Sequence, residues 1–240
     1  MVATVSAQDK ADRLKQLPPY LFVEIDRAKR RLQAEGKDVI DLGVGDPDLP
    51  TPPHILERLK QAADDPANHR YSFTEGLAEL REAIARWYAR RFGVILDPNT
   101  EVLPLLGSKE GIAHLPLALA NPGDVVLVPD PGYPPYRSGA ILAGAEVVSM
   151  PLLEQNGFFP DLGALSQKAV RRAKVMFLNY PNNPTAAIAA AGQVQEAIEL
   201  AKQYGIAIAY DNAYSEISFE GDPSTRATAS GRGLAQHIRL

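Results

Sequence analysis

The residues best suited to chemistry sit in four short loops, each following an apolar run of strand length. The first is Gly107-Ser108-Lys109-Glu110-Gly111, a small flexible turn that opens an apolar helix. Backbone N–H groups at such a helix start favour a phosphate, and Ser108 adds a hydroxyl donor. An ordinary helix start with a serine cap accounts for the same residues. The second loop runs from Pro129 to Tyr136, where prolines flank Tyr133 and could present its ring as a flat stacking platform. The plainer reading there is a Pro-rich turn with a half-buried tyrosine. The third, Asn179-Tyr-Pro-Asn-Asn-Pro-Thr185, holds asparagine between prolines with a carboxamide free for one directed hydrogen bond. Turn chemistry explains Asn and Pro equally well. The fourth, Asp211-Asn-Ala-Tyr214, ends an apolar strand in a carboxylate, for which a helix N-cap is the alternative. Singly each signal is weak, but ligands of parallel α/β sheets collect at the C-terminal ends of strands, and these four succeed one another there.

The intervening elements fit that arrangement. Residues 20–35 read as an amphipathic helix closed by Gly36, Val39–Leu42 as a short strand, and His54–Ala63 as a helix introduced by Pro52-Pro53. Leu77–Phe92 is a stronger helix, with Gly93 as its stop. Beyond it strands are expected at Val102–Leu106, Val125–Val128, Glu146–Met150, Val175–Leu178 and Ile206–Tyr210. Helices are expected at Lys109–Leu119, Tyr136–Leu142, Leu162–Val170 and Val194–Tyr204. Short continuous apolar runs separated by helices predict an α/β fold, a mostly parallel central sheet with helices on both faces. The segment after Gly221 breaks the pattern, having no aromatic, no lysine and few apolar residues, and is expected to add little core.

Composition removes other classes. A chain of 240 residues that is 45% hydrophobic can bury a core, so intrinsic disorder is excluded. There is no cysteine, hence no disulfide scaffold, zinc ribbon or thiol nucleophile. A net charge of −4 makes no electrostatic case for nucleic acid. No apolar run approaches the roughly 18 residues that cross a bilayer, and the N-terminus lacks the pattern of a signal peptide, so no membrane partner and a cytoplasmic location are expected. His54, His69, His114 and His237 lack metal-ligand spacing. Gly43-Val-Gly45 is followed by Asp46-Pro47-Asp48, not by a helix start with a third glycine, which speaks against a nicotinamide-binding Rossmann domain.

Taken together, the four loops specify a ligand with a phosphate, a flat ring, a hydrogen-bonding oxygen on that ring, and a basic ring nitrogen facing a carboxylate. Pyridoxal 5'-phosphate (PLP) has all four. From about Tyr20 to Phe219 the chain resembles a fold-type I, class I/II aminotransferase, most of all the LL-diaminopimelate and aspartate aminotransferase branch. The resemblance rests on Leu42-Gly-Val-Gly-Asp-Pro-Asp48, Tyr71-Ser-Phe-Thr-Glu-Gly76 with Leu80-Arg-Glu-Ala-Ile84, Gly107-Ser-Lys-Glu-Gly111, Pro131-Gly-Tyr-Pro134, Asn179–Thr185 and Asp211-Asn-Ala-Tyr214. It implies that Ser108 and Lys109 lie in the loop around the phosphate and that Tyr133 stacks on the pyridine. It further implies that Asn183 and Tyr214 donate to the ring's phenolic oxygen, and that Asp211 keeps the ring nitrogen protonated. Tyr71 resembles the tyrosine that reaches a neighbouring subunit's phosphate in a homodimer, and Tyr20 and Gly45 match substrate-contacting positions. The implied reaction passes an amino group from an amino acid, LL-diaminopimelate-like, to a 2-oxo acid.

The chain departs from that family in two ways. Such enzymes need a lysine beyond the Asp-x-x-Tyr motif to hold PLP as a Schiff base, and the last lysine here is Lys202. No catalytic lysine can therefore be assigned, and little or no turnover is expected of this chain. A non-catalytic remnant that binds PLP or dimerises is the alternative. Secondly, Ala186 stands where the family usually has Gly, which disfavours a positive φ. The expected organisation is an N-terminal arm and start of a small domain over 1–50, a partial PLP-binding large domain over 51–220, and an atypical tail over 221–240. The tail has the look of out-of-frame sequence following a truncation.

Overall fold

The structure is a computed structural model, and it describes residues 10–217 apart from 20, 44, 46–48 and 72–74. Tyr20 and the 221–240 tail, with the expectations attached to them, lie outside the described residues. The chain divides into two compact units, Pro18–Thr74 and a second formed by Met1–Leu17 with Glu75–Leu240.

The unit Pro18–Thr74 holds helices α2 (Leu21–Ala34) and α3 (Pro53–Asp64) and a 3₁₀ turn at Pro66–His69. Pro53 begins α3 because the missing N–H of a proline is no loss in a first helical turn. The strand expected at Val39–Leu42 is not formed: residues 37–42 have no regular structure, and Ile40 and Leu42 are 83% and 92% exposed. Extended backbone becomes a strand only beside another, and this unit offers none among its described residues. Asp41 is tied instead to Lys29 at 2.7 Å and accepts from the Gly43 N–H at 2.9 Å.

The larger unit begins with a single turn, α1 (Asp12–Lys15), and resumes with α4 (Ala78–Phe92), which stops at Gly93 where φ is +65°. Then follow α5 (Ser108–Leu119), β1 (Val125–Asp130), α6 (Pro134–Leu142), β2 (Glu146–Pro151), α7 (Gln167–Arg172), β3 (Ala173–Asn179), α8 (Ala191–Tyr204) and β4 (Ala207–Asp211). The helix expected over Leu162–Val170 is broken in two. Leu162–Ala164 forms a 3₁₀ turn, and the Ser166 hydroxyl accepts from the Ala169 N–H to start α7 afresh. The strand expected at Val102–Leu106 is also absent, since residues 102–105 lie in no sheet, and Leu103 and Leu106 are 65% and 94% exposed.

The sheet has four strands in the order β2-β1-β3-β4, all parallel. Alternation along each strand builds two cores. Leu127, Met176, Leu178, Ile208 and Tyr210 face α8, where Val194, Ala197, Ile198 and Ala201 are buried. Val126, Val128, Val175, Phe177 and Ala209 face the other way, against Ile112 of α5 and Tyr136 and Ala140 of α6. Both faces are covered, which is why the strands read as unbroken apolar runs. The order also fixes a topological switch point: β1 leads outward to β2, and the chain then returns to place β3 on the other side of β1. A crevice opens at the carboxyl ends of the strands at such a point.

Helices α5 and α6 approach closely at Gly139. A Cβ added there would lie 2.7 Å from the Ala113 carbonyl oxygen, which belongs to rigid helix backbone. After β3 the loop is closed by Ala186 N–H to Asn182 O at 2.8 Å and Asn182 N–H to Ala187 O at 2.9 Å, and Ala186 takes φ +58°. The positive φ that Ala disfavours is thus adopted all the same, held by these two bonds.

Opposite outcomes are expected for two small substitutions, read as denaturant midpoints of the purified chain. Gly139→Ala lowers stability, because overpacking against backbone costs toward the upper end of about 1–3 kcal/mol and exceeds a helix-propensity gain of about 1 kcal/mol. Ala186→Gly raises stability by about 1 kcal/mol by relieving the left-handed strain.

Candidate functional site

The carboxyl ends of β1, β3 and β4 bring Tyr133, Asn183, Asp211 and Tyr214 into one connected cluster. Asp211 is the last residue of β4, pairs with Asn179 in the parallel register, and is 6% exposed. Strand parity points its side chain, like Ala209, to the face covered by α5 and α6. There the Tyr136 hydroxyl donates to Asp211 Oδ2 at 2.7 Å. The Asp211 carboxylate also accepts from the Ala213 backbone N–H. A turn follows over 213–216, not a helix, so Asp211 is no N-cap. It makes no ion pair among the described residues. Burial without a counter-charge raises its carboxyl above the ordinary 3.8, opposed by the bonds from Tyr136 and Ala213.

Asn179 joins the ends of β3 and β4. It is buried, its Nδ2 donates to the Asp211 backbone carbonyl at 2.9 Å, and its Oδ1 accepts from the Asn183 N–H at 2.7 Å. The two explanations for asparagine in this loop then divide between neighbours. Asn182 does the turn chemistry: it is 4% exposed, its Oδ1 accepts from Thr185 N–H at 3.2 Å and from Thr185 Oγ1 at 2.8 Å, and its Nδ2 donates to Asn179 O at 3.2 Å. Asn183 is left with a side chain directed elsewhere, its Nδ2 lying 3.4 Å from the Tyr214 hydroxyl. A carboxamide and a phenol so placed can both donate to a single acceptor.

Tyr133 is the N-cap residue of α6, with Pro134 and Pro135 in the first helical turn. Its half-buried ring meets the ring of Tyr136 edge to face, with centroids 5.7 Å apart. Tyr136 in turn stacks on Phe177 of β3 at 4.8 Å and 19°. Its hydroxyl is pushed far up in pKa, first by burial and then by the charge of Asp211, so it stays protonated and remains a donor. Tyr136 is the residue that sequence reasoning missed. Its helical position marked it as packing, and only the sheet order shows that it reaches a carboxylate seventy-five residues away.

Ser108 and Lys109 are the first two residues of α5, both exposed. The cap position belongs to Gly107, at φ +81°, so Ser108 is not the capping serine. Glu110 folds back to accept from the Leu106 N–H at 2.9 Å. Because α5 runs into β1 through the short turn 120–124, its N-terminus lies on the carboxyl side of the sheet, as does the start of α6. In the Pro18–Thr74 unit, Tyr71 is 81% exposed and Gly45 is exposed. No helix among the described residues is long and apolar enough to cross a membrane.

Comparison with known proteins agrees with this architecture. A family model described as aminotransferase class I and II matches residues 37–236. LL-diaminopimelate aminotransferase of Syntrophobacter fumaroxidans is 56% identical over 212 residues, covering 88% of this chain and 55% of the relative. The enzyme of the same name from Aquifex aeolicus is 56% identical over 86% of this chain and 54% of its own length. Among solved structures, apo-BacF from Bacillus subtilis superposes with a TM-score of 0.84 at 41% identity, over 91% of this chain and 56% of that one. A probable N-succinyldiaminopimelate aminotransferase from Thermus thermophilus gives 0.79 at 42% identity, over 84% and 54%. The chain thus spans about 55% of the length of these relatives. With an α/β sheet of matching topology and a family match that runs through every strand, the chain belongs to the class I and II aminotransferase family.

Proposed function

We propose that this chain carries the ring-binding side of the active site of a PLP-dependent aminotransferase, cytoplasmic and homodimeric, with an LL-diaminopimelate-like amino acid as donor and a 2-oxo acid as acceptor. The observation that carries the reading is Asp211: a carboxylate at the sheet's switch-point end, buried, with no cation beside it among the described residues. Such a group is costly unless a cationic ligand completes it, and a protonated pyridine nitrogen is such a ligand. The family is generally PLP-dependent, and the donor set fits that cofactor. The substrate class follows the names of the relatives at 56% identity.

Each residue then has a task. Asp211 holds a proton on the ring nitrogen. Tyr133 covers one face of the ring and keeps water from it. Asn183 and Tyr214 converge on the ring's phenolic oxygen. Ser108 supplies a hydroxyl, and Lys109 a positive charge, to the phosphate at the start of α5, where the helix dipole adds to both. Tyr71 is assigned to a neighbouring subunit's phosphate, and Tyr20 and Gly45 to the substrate. A PLP held by these residues would supply an electron sink to the substrate's α-carbon. Within these 240 residues the last lysine is Lys202, on the exposed side of α8, so none of them is assigned to a covalent link with the cofactor.

Titration of the purified chain with PLP, followed by absorbance, should give saturable binding that borohydride does not fix and dialysis reverses. Asp211→Ala should weaken it by about tenfold or more, the scale of a lost hydrogen bond to a charged group. Equal binding by the variant, or a borohydride-stable adduct on Lys109, overturns the assignment. A second outcome concerns the ligand-free chain. Because the folded carboxyl of Asp211 titrates above 3.8, the folded state holds a proton that the unfolded state has already lost. Stability therefore falls as pH rises through that window. Asp211→Asn should be more stable than wild type at pH 7 without ligand, and the advantage should vanish as pH falls toward 3.8.

A further inference from the structure

The role of Tyr136 goes beyond packing, and the inference rests on the proposed ring site. Tyr136 is 1% exposed and is clamped on three sides. Its ring lies flat on Phe177 of β3, its edge meets Tyr133 at the start of α6, and its hydroxyl reaches across to Asp211 of β4. A tyrosine needed only for volume could leave its hydroxyl to any nearby carbonyl. Here the hydroxyl lies 2.7 Å from the one buried carboxylate of the cluster.

We propose that Tyr136 is a positioning residue of the ring site: its hydroxyl pins Oδ2 of Asp211, so that Oδ1 is presented, ionised and at a fixed angle, to a ring nitrogen. Three constraints combine in this arrangement. A buried carboxylate without a cation tends to take up a proton, and a carboxylic acid cannot hold a pyridinium. A donor on one oxygen favours the anion and costs the other oxygen nothing. The donor must not lose its own proton, and the tyrosine hydroxyl, with burial and a carboxylate against it, does not. The same side chain also sets the ring of Tyr133, so the stacking platform and the carboxylate are held by one residue. Among the described residues, the titratable group that faces Asp211 is Tyr136 from α6, and Tyr136 in turn is faced by Tyr133 at the cap of its helix and Tyr214 from the turn after β4.

The test compares two ligands that differ in one atom: pyridoxamine phosphate, and its counterpart with CH in place of the ring nitrogen. Binding of both to the full chain is measured by calorimetry across pH 5–9, for wild type and for Tyr136→Phe, which keeps the ring on Phe177. Wild type should prefer the pyridine ligand. Tyr136→Phe should lose about tenfold or more of that preference, the scale of one charge-assisted hydrogen bond, while binding of the CH counterpart stays unchanged. The acid limb of the pyridine ligand's pH profile should also move up, because Asp211 is then protonated at higher pH. An unchanged preference and an unmoved limb overturn the proposal and leave the ring site standing. A wild-type chain that binds neither ligand, or both alike, overturns the ring site as well. Should Tyr136→Phe fail to fold, 3-fluorotyrosine placed at position 136 alters only the acidity of the phenol. The acid limb must then move down, and a limb that does not move overturns the assignment of Tyr136.

Discussion

Asp211 lies buried at the end of β4 with no positive charge beside it among the described residues, and most of the surrounding geometry answers to that one constraint. A lone carboxylate in an apolar setting is costly as an anion and useless as a cation-binding group once it is protonated. Among the described residues the protein does not cancel the charge with an arginine or lysine. It supplies neutral donors instead, the Tyr136 hydroxyl and the Ala213 N–H, which support the anion and still leave it short of a counter-ion. Asn179 steadies the backbone beneath it through the Asp211 carbonyl. A site built in this way favours a ligand that brings its own positive charge and gives little to a neutral ring of the same shape.

The sheet order turns this local chemistry into a pocket. With β3 returned to the inner side of β1, the loops after those two strands flank the crevice, and β4 stands next to β3. Asn179 and Asp211 are register partners, so a single buried carboxamide can fix both the Asn183 loop and the β4 terminus. Parity does the rest. Phe177, Asn179, Ala209 and Asp211 fall on the α5/α6 face, the first residue carrying Tyr136 and the last receiving its hydrogen bond. Shifting β4 by one residue would turn Asp211 toward α8, among Val194 and Ile198, where it would meet only apolar groups.

Much of this was legible in the residues. Continuous apolar runs marked the four strands to within a residue or two, because strands buried on both faces cannot alternate. Proline and glycine marked where each run ended. Val39–Leu42 and Val102–Leu106 misled because an apolar run reports burial somewhere, not a neighbour to pair with, and Leu42 and Leu106 are among the most exposed apolar residues described. Leu162–Val170 misled because Ser166 reads as an interior helix position until its side chain is seen capping a new helix. Asp211, Asn183 and Tyr133 could be picked out by their places at strand ends. Tyr136 could not, since its partner is distant in sequence and nothing local to Pro134–Leu142 separates a phenol that packs from one that donates.

Local rules are broken in this unit mainly where the cluster is assembled. Ala186 sits in a left-handed conformation and Asp211 is a buried charge, each less stable than an obvious replacement. The two cases differ in kind. The Ala186 strain serves the loop only through its backbone, which glycine would trace as well, so nothing in the structure explains why alanine stands there. The cost at Asp211 is inseparable from the use proposed for it, because whatever satisfied the carboxylate permanently would also remove its call on a cationic ring. That distinction separates a tolerated defect from a functional one. It places the proposed functional weight of the cluster on the β4 terminus and on Tyr136, whose hydrogen bond supports the anionic form of that carboxylate.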